Sequence, residues 1–158
     1  MHTKKVFLSC LLLSALQTLA QTDSSLVRLQ NFSSVATPKG YSHAAIIDLG
    51  KSNMIVLSGQ VPIDKNGNLV GKNDFSKQAE QVFENIKNIL TELGGTMSNV
   101  IKIGIYVVNM KDIQALRNVR DKYIDLKNPP TSTLVEVSKL YREDVLLEVE
   151  ATAVIPKK

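Results

Sequence analysis

The stretch "DFSKQAEQVFENIKNILTELGG", Asp74 to Gly95, decides the architecture. Phe75, Ala79, Val82, Phe83, Ile86, Leu90 and Leu93 recur at three- and four-residue spacing, which is one broad apolar face of a helix. Asp74 is placed to cap its start and Gly94-Gly95 to end it. Lys77, Glu80, Gln81, Glu84 and Lys87 occupy the opposite, solvated face. A helix apolar on one side only needs a partner layer. The next stretch, "NVIKIGIYVVNM" from Asn99 to Met110, supplies one as a strand. Ile101, Ile103, Ile105 and Val107 point to one side and Lys102, Gly104 and Tyr106 to the other.

Upstream, "SSLVRLQNF" predicts a short first strand. "HAAIIDLGKSNMIVLSGQVPI" predicts a hairpin, with Ala44 to Leu49, a turn through Gly50 to Asn53, and Met54 to Ser58. Asn66-Gly67 marks a further turn. Downstream, a second helix runs from about Lys111 to Ile124, with Ile113, Leu116 and Ile124 toward the sheet. Asn128-Pro129-Pro130 closes it, because a residue before proline is pushed out of helical geometry. Then comes "PPTSTLVEV", a strand with Thr131, Thr133, Val135 and Val137 on one face and Ser132, Leu134 and Glu136 on the other. In the last strand, "DVLLEVEATAVI", Leu147, Val149, Ala151 and Ala153 suit the helix side, while Leu146, Glu148, Glu150 and Thr152 face away. This order predicts a single α+β domain over 26–158: a two-layer fold with a mixed six-stranded sheet and two helices on one face.

The uncovered sheet face then carries Lys102, Tyr106, Ser132, Leu134, Glu136, Leu146 and Glu148. Such a mixed surface suits a wet subunit interface, and symmetric self-association is expected. A serine and a glutamate on one strand face, straight after a stiff double proline, mean either that the face is wet or that it lines a site.

Residues 1–20 have the layout of a secretory signal peptide. Lys4 and Lys5 precede the mostly apolar Val6 to Leu13, and Thr18-Leu19-Ala20 forms a small-residue cleavage site before Gln21. A lipoprotein anchor on Cys10 would have only Val6 to Leu8 before it, so that alternative ranks low. Cleavage leaves residues 21–25 as a loose, polar N-terminus and predicts an exported protein, periplasmic or secreted, with no membrane anchor. It also removes Cys10, the sole cysteine, so neither a disulfide nor a cysteine metal site is expected. The formal charge of +4 falls to +2 once Lys4 and Lys5 are gone. The basic residues are scattered, with no stacking platform or basic stripe, so no nucleic-acid partner is expected.

Taken together, "GYSHAAIIDLGKSNMIVLSGQVPID", "QAEQVFENIKNILTELGG", "VIKIGIYVVNMKDI" and the closing "LLEVEATAVI" resemble the reactive-intermediate deaminase, or YjgF-like, family from about Leu26 to Ile155. The most telling pieces are Ser58-Gly59-Gln60 and Glu148 to Ala151. The resemblance implies a chorismate-mutase-like domain, a homotrimer with clefts between subunits, and hydrolysis of enamines and imines such as 2-aminoacrylate without metal or organic cofactor. Some members carry endoribonuclease, translation-inhibitor or chaperone labels. It further implies Glu148 as the group that handles water and Tyr41 as a second catalytic group. Ser58 and Gly59 line the cleft, with Ser132 and Leu134 on the strand that binds substrate. Lys39-Gly40 stands where many members have glycine-proline, and a small insertion at "LYRED" shifts the count before Glu148.

One element of the pattern is absent. The family's carboxylate-gripping arginine falls on Ser132, so that strand lines a site whose anchor is missing. Losing one partner of a desolvated charge pair costs about 2–5 kcal/mol, roughly thirty- to several-thousand-fold in affinity. Ordinary amino-acid imines are thus expected to be poor substrates, and a small, less anionic ligand is favoured. Arg142, Arg117 and Arg120 are the candidate replacements, each also readable as a plain solvent-facing side chain. Ser132, His43 and Glu148 match the residue types of a nucleophile, base and orienting acid, although no nucleophile elbow surrounds Ser132. Glu148 also has a blander reading as an interface ion pair, and Tyr41 as a packed aromatic. The readings in order are an imine hydrolase with an altered cleft, a non-catalytic small-ligand trimer, an endoribonuclease, and a structural or chaperone-like trimer.

Overall fold

The computed structural model describes residues 26–158, so the leader pattern and residues 21–25 lie outside the described residues. Six strands, β1 (Val27–Gln30), β2 (Ala44–Asp48), β3 (Ser52–Leu57), β4 (Val100–Val107), β5 (Thr131–Glu136) and β6 (Leu147–Pro156), form one sheet in the order β1-β2-β3-β6-β4-β5. Only β4 and β5 run parallel, and helix α2 (Ile113–Arg120) makes the crossover between them. Helix α1 (Phe75–Glu92) packs beside α2 on the same side of the sheet. This is the two-layer α+β domain expected from the pattern. Among the described residues no helix is long and apolar enough to cross a membrane.

Helix α1 forms as its sequence dictates. The Asp74 side chain accepts a hydrogen bond from the Lys77 N–H at 3.0 Å and so caps the first turn. At the other end Gly94, at φ +77°, turns the chain so that the Gly95 N–H donates to the Leu90 carbonyl and the Gly94 N–H to that of Thr91. Val82, Phe83, Ile86, Ile89 and Leu90 are fully buried against Ile103, Ile105, Leu147, Val149 and Ala153. Two polar residues on this helix are buried as well. Gln78 donates to the carbonyls of Gly71 and Asp144 and accepts from the Leu146 N–H, which pins the loop before β6. Asn85 donates to the carbonyls of Val61 and Ile63, which fixes the chain leaving β3.

Four sequence expectations need correction. The hairpin turn is tighter than Gly50 to Asn53: β3 already begins at Ser52, and Gly50, at φ +79°, reverses the chain. Ile101 is not a core residue. A bulge between Val100 and Lys102 rotates it outward, leaving it 49% exposed, and Val100 takes its place in the core. Helix α2 is short, ending at Arg120, and its core contacts are Leu116 and Val119, with Ile113 and Ile124 only half-buried. Past Arg120 the chain tightens, and Tyr123 stacks on Phe83 with ring centroids 5.3 Å apart.

The fourth correction bears on the site. The β4–β5 register pairs Ile103 with Ser132, Ile105 with Leu134 and Val107 with Glu136. Residues paired across two strands share a face, so Ser132, Leu134 and Glu136 lie on the helix side and Thr131, Thr133 and Val135 on the open side. The alternation within β5 was legible, but the face assignment is reversed. Leu134 packs against the core, as does Leu146. On β6 the predicted alternation holds, with Leu147, Val149, Ala151 and Ala153 buried and Glu148, Glu150 and Thr152 facing away.

Candidate functional site

The site grows from the tripeptide that follows β3. The Ser58 hydroxyl donates to the Ser42 carbonyl at 2.6 Å, and the Ser58 N–H donates to that of His43 at 2.9 Å. Gln60 and Val149 exchange both backbone hydrogen bonds, at 2.8 and 3.0 Å, and the Gln60 side-chain amide donates to the Ser58 carbonyl. Gly59 is thereby clamped between the entry to β2 and strand β6. Its N–H makes no hydrogen bond among the described residues. The Glu148 side chain lies across this glycine: a Cβ at position 59 would stand 1.8 Å from the Glu148 Oε1 atom. Glu150 repeats the arrangement on the neighbouring strand, where a Cβ at Gly104 would stand 2.6 Å from its Oε1 atom.

The two glutamates share the open face with Tyr106, which pairs with Glu148 in the register and lies within the field of Glu150. Burial, and then the charge of Glu150, push the Glu148 carboxyl above the usual carboxylate range. Tyr41 is held above the usual phenol range by burial first, and then by Tyr141 and Glu148. The Tyr106 hydroxyl is raised chiefly by the charge of Glu150. Alongside lies an open groove of about 770 Å³ between β1, β2, β3 and the segment from Pro38 to Ser42, with Tyr41, Ser42 and Ser58 in its wall. The arrangement offers a carboxyl group that readily holds a proton, a phenol that stays protonated and a free backbone donor. Among the described residues no group of three His, Cys, Asp or Glu side chains is placed to hold a metal.

Tyr41, Ser58, Gly59 and Glu148 are therefore brought together by one protomer, and Ser132 and Leu134 are not. They lie on the opposite face of the sheet, with β4 between their strand and that of Glu148. His43 is not a base. It is 2% exposed; its Nδ1 accepts from the Phe32 N–H at 3.0 Å, and its Nε2 donates to the Ala36 carbonyl at 2.9 Å. Both ring nitrogens are used in holding the chain before β2, so the Ser132–His43–Glu148 constellation does not exist within the protomer. Arg142 is taken up by a two-pronged ion pair with Asp144, at 2.8 and 2.7 Å, and Arg120 by Asp121. Sequence reasoning missed Tyr141, Gln78 and the influence of Glu150. The last was recoverable, since Gly59 and Gly104 are the small residues that two glutamates spaced by two on a strand require beside them.

With this geometry established, comparisons with known proteins give a consistent answer. The model of the family described as endoribonuclease L-PSP matches residues 32–155. A RutC family protein of Buchnera aphidicola from Acyrthosiphon pisum is 38% identical over 115 residues, covering 72% of this chain and 85% of that one. Protein HMF1 of Saccharomyces cerevisiae is 31% identical over 121 residues, covering 77% and 88%. Among solved structures, a Rid family protein of unknown function from Yersinia pestis superposes with a TM-score of 0.72 at 29% identity, covering 80% of this chain and 98% of that one. TdcF of E. coli with bound serine superposes with a TM-score of 0.68 at 25% identity, covering 83% and 99%. The match spans strands β2 to β6 and the segments that carry Tyr41, Gly59 and Glu148, and the chain belongs to the endoribonuclease L-PSP family, the RidA/YjgF-like proteins.

Proposed function

We propose that the protein hydrolyses the C=N bond of small imines, the tautomers of enamines, with Glu148 moving the protons. Family membership supports imine or enamine deaminase-type chemistry, or a related function, in general terms. The observation that carries the specific reading is the Glu148 carboxyl laid over Gly59 and raised above its usual range, beside Tyr41. An imine carbon is already electrophilic, so the site has only to place a water and shuttle protons. Glu148 takes a proton from water as the water oxygen bonds to carbon and passes it to nitrogen, giving a carbinolamine. It then carries the carbinolamine hydroxyl proton to nitrogen as the C–N bond breaks, C=O forms and ammonia leaves. Tyr41 and the Gly59 N–H donate hydrogen bonds to the substrate, and no cofactor takes part.

Ser132 and Leu134 join this site only if a second copy presents them, which is why a homotrimer with clefts between subunits is part of the proposal. The serine in the TdcF structure makes an amino-acid-sized ligand reasonable for a similar cleft. Export from the cytoplasm is part of the proposal, supported by the leader pattern of residues 1–20, and N-terminal sequencing of the exported product checks cleavage after Ala20. Imines generated in situ by an amino-acid oxidase provide the assay. Glu148→Gln is expected to lower turnover by about 10²–10⁴-fold, the range for a general acid–base group. Unchanged turnover in that variant refutes the reading. A second reading, a trimer that binds a small, less anionic ligand without turnover, is favoured by Ser132 standing where the family's cationic grip is expected. It predicts ligand affinity that survives Glu148→Gln and no hydrolysis by any variant.

A further inference from the structure

Among the described residues His43 is the only buried side chain that titrates, and the proposed chemistry does not use it. It ends the segment 31–42, which joins β1 to β2 and brings Tyr41 and Ser42 into the wall of the groove. Phe32 and Val35 anchor that segment in the core, and the Ser34 N–H donates to the Glu92 carboxylate at 3.0 Å. Three further ties converge on His43. Its N–H donates to the Asn31 side-chain oxygen at 3.0 Å, its Nδ1 accepts from the Phe32 N–H at 3.0 Å, and its Nε2 meets the Ala36 carbonyl at 2.9 Å. The ring also stacks on Phe32 and meets Tyr41 edge-on, with centroids 6.2 Å apart in each pair. The His43 carbonyl accepts from the Ser58 N–H, so this one residue joins the segment to the tripeptide that builds the site.

These partners allow the ring a single protonation state. A backbone N–H can only donate and a backbone carbonyl can only accept, so Nδ1 is bare and Nε2 carries the proton. A second proton on Nδ1 would aim one N–H at another across 3.0 Å. The ring is 2% exposed, so solvent cannot take up the displaced donors. Among the described residues no carboxylate is bonded to the ring to steady a cation. Tyr41 is the titratable group of the same segment that touches it, and Lys39 and Arg28 are exposed. Asp48 lies at the far end of β2, bonded to Lys157, and β3 carries no charged residue. Glu92 of α1 is taken by Ser34, while Glu148 of β6, laid over Gly59, and Tyr141 act on Tyr41.

We propose that His43 is a positioning residue that works only when neutral: protonation breaks its bond to Phe32, frees the segment 31–42 and withdraws Tyr41 and Ser42 from the groove. Histidine changes charge between about pH 5 and pH 8, so mild acid is the trigger. The held form binds one proton fewer than the released form, and falling pH therefore favours release. The sheet stays intact, because β2 is paired to β1 and β3 through its backbone. This goes beyond the hydrolase reading and is measured without turnover.

Two measurements on the full-length protein test it. The chain has two histidines, His2 and His43, so the His43 ring is identified in long-range nitrogen NMR as the signal missing from His43→Gln. At about pH 7.5 it should show the Nε2–H tautomer. The Nδ1–H tautomer, or a cation at that pH, overturns the assignment. Amide exchange read by mass spectrometry follows the segment itself. Glutamine offers an acceptor and a donor but takes no proton. At about pH 7.5 both proteins should protect 31–42 alike; at about pH 5 wild type should exchange there about tenfold faster or more. Comparison at one pH removes the pH dependence of exchange chemistry, and α1 and β6 should stay protected in both. Equal exchange of the two proteins at the lower pH, or loosening of α1 and β6 along with the segment, overturns the proposal. Should His43→Gln fail to fold, wild type decides: the segment must loosen over the range in which the ring titrates, and loosening without that titration sinks the idea. If the exchange pattern appears while no imine is turned over, the hydrolase reading fails and this one stands. If Glu148→Gln abolishes turnover while exchange in 31–42 is equal in the two proteins at both pH values, the reverse holds.

Discussion

The closest test of the site geometry is a single methyl group. In Gly59→Ala the new Cβ would stand 1.8 Å from Oε1, 2.7 Å from Cδ and 2.9 Å from Cγ of Glu148. No such contact can persist, so one side must move. The backbone at Gly59 is held by the Ser58 and Gln60 hydrogen bonds to β2 and β6, whereas Glu148 ends in a flexible side chain. The glutamate therefore yields. Because what moves is a side-chain end and not the sheet, the stability change should stay within about 1 kcal/mol. The functional change should be large, since the carboxylate is driven off the spot it now occupies. A misplacement of about 1 Å near reacting atoms can cost roughly 10²-fold in rate. Gly104→Ala makes the matched control, because its Cβ would meet Glu150 at 2.6 Å and leave Glu148 in place. Thermal unfolding and imine hydrolysis measured on both variants decide the matter. The expected pattern is near-native melting for both, with turnover lost only in Gly59→Ala. Full activity in Gly59→Ala would mean that Glu148 need not lie over residue 59, and the reasoning would be refuted.

Two further predictions follow from buried groups. The Glu148 carboxyl is raised in the folded state, so the native protein binds more protons than the unfolded chain above the ordinary carboxylate range, and stability falls as pH rises through the folded value. The difference in unfolding free energy between wild type and Glu148→Gln should thus be flat at low pH and turn against wild type as pH rises. A flat difference throughout would show that burial and Glu150 do not act on this group. Separately, Gln78→Leu removes three buried hydrogen bonds, leaving the Leu146 N–H and the Asp144 and Gly71 carbonyls short of partners. A loss of about 2–3 kcal/mol is expected in denaturant titration, with faster amide exchange in the loop before β6. Exchange no faster than in wild type would show that Gln78 does not hold that loop.

The fold was legible wherever a local period met one uniform environment. Helix α1 sees the core along its whole apolar side, so the spacing from Phe75 to Leu93, the Asp74 cap and the Gly94-Gly95 stop all point the same way. Strand β6 sits in the middle of the sheet, and its strict alternation from Leu147 to Ile155 survives intact. Legibility failed where the environment changes along an element. The bulge at Ile101 inserts one residue into β4, and composition cannot reveal it because an isoleucine looks like core at either position. Helix α2 ends at Arg120, and Tyr123 beyond it stacks on Phe83, a contact that helical spacing alone does not show.

Strand β5 shows why the site was only half legible. As an edge strand it has one neighbour, and most of its residues are exposed on both faces, so burial imposes no hydrophobic code on it. Its alternation could be seen, but which side faced the helices could not. Only the register with Ile103, Ile105 and Val107 settles that. The consequence is more than bookkeeping. With Ser132 on the open face, Glu148 and the ligand anchor would share one protomer, and the missing arginine would read as a lost function. With Ser132 on the helix side, the anchor position and the Glu148 carboxyl lie on opposite faces of one protomer's sheet. A single register shift in β5 would return Ser132 to the face of Glu148, so the position of the site's two halves rests on the pairing of Ser132 with Ile103 and not on the composition of the strand.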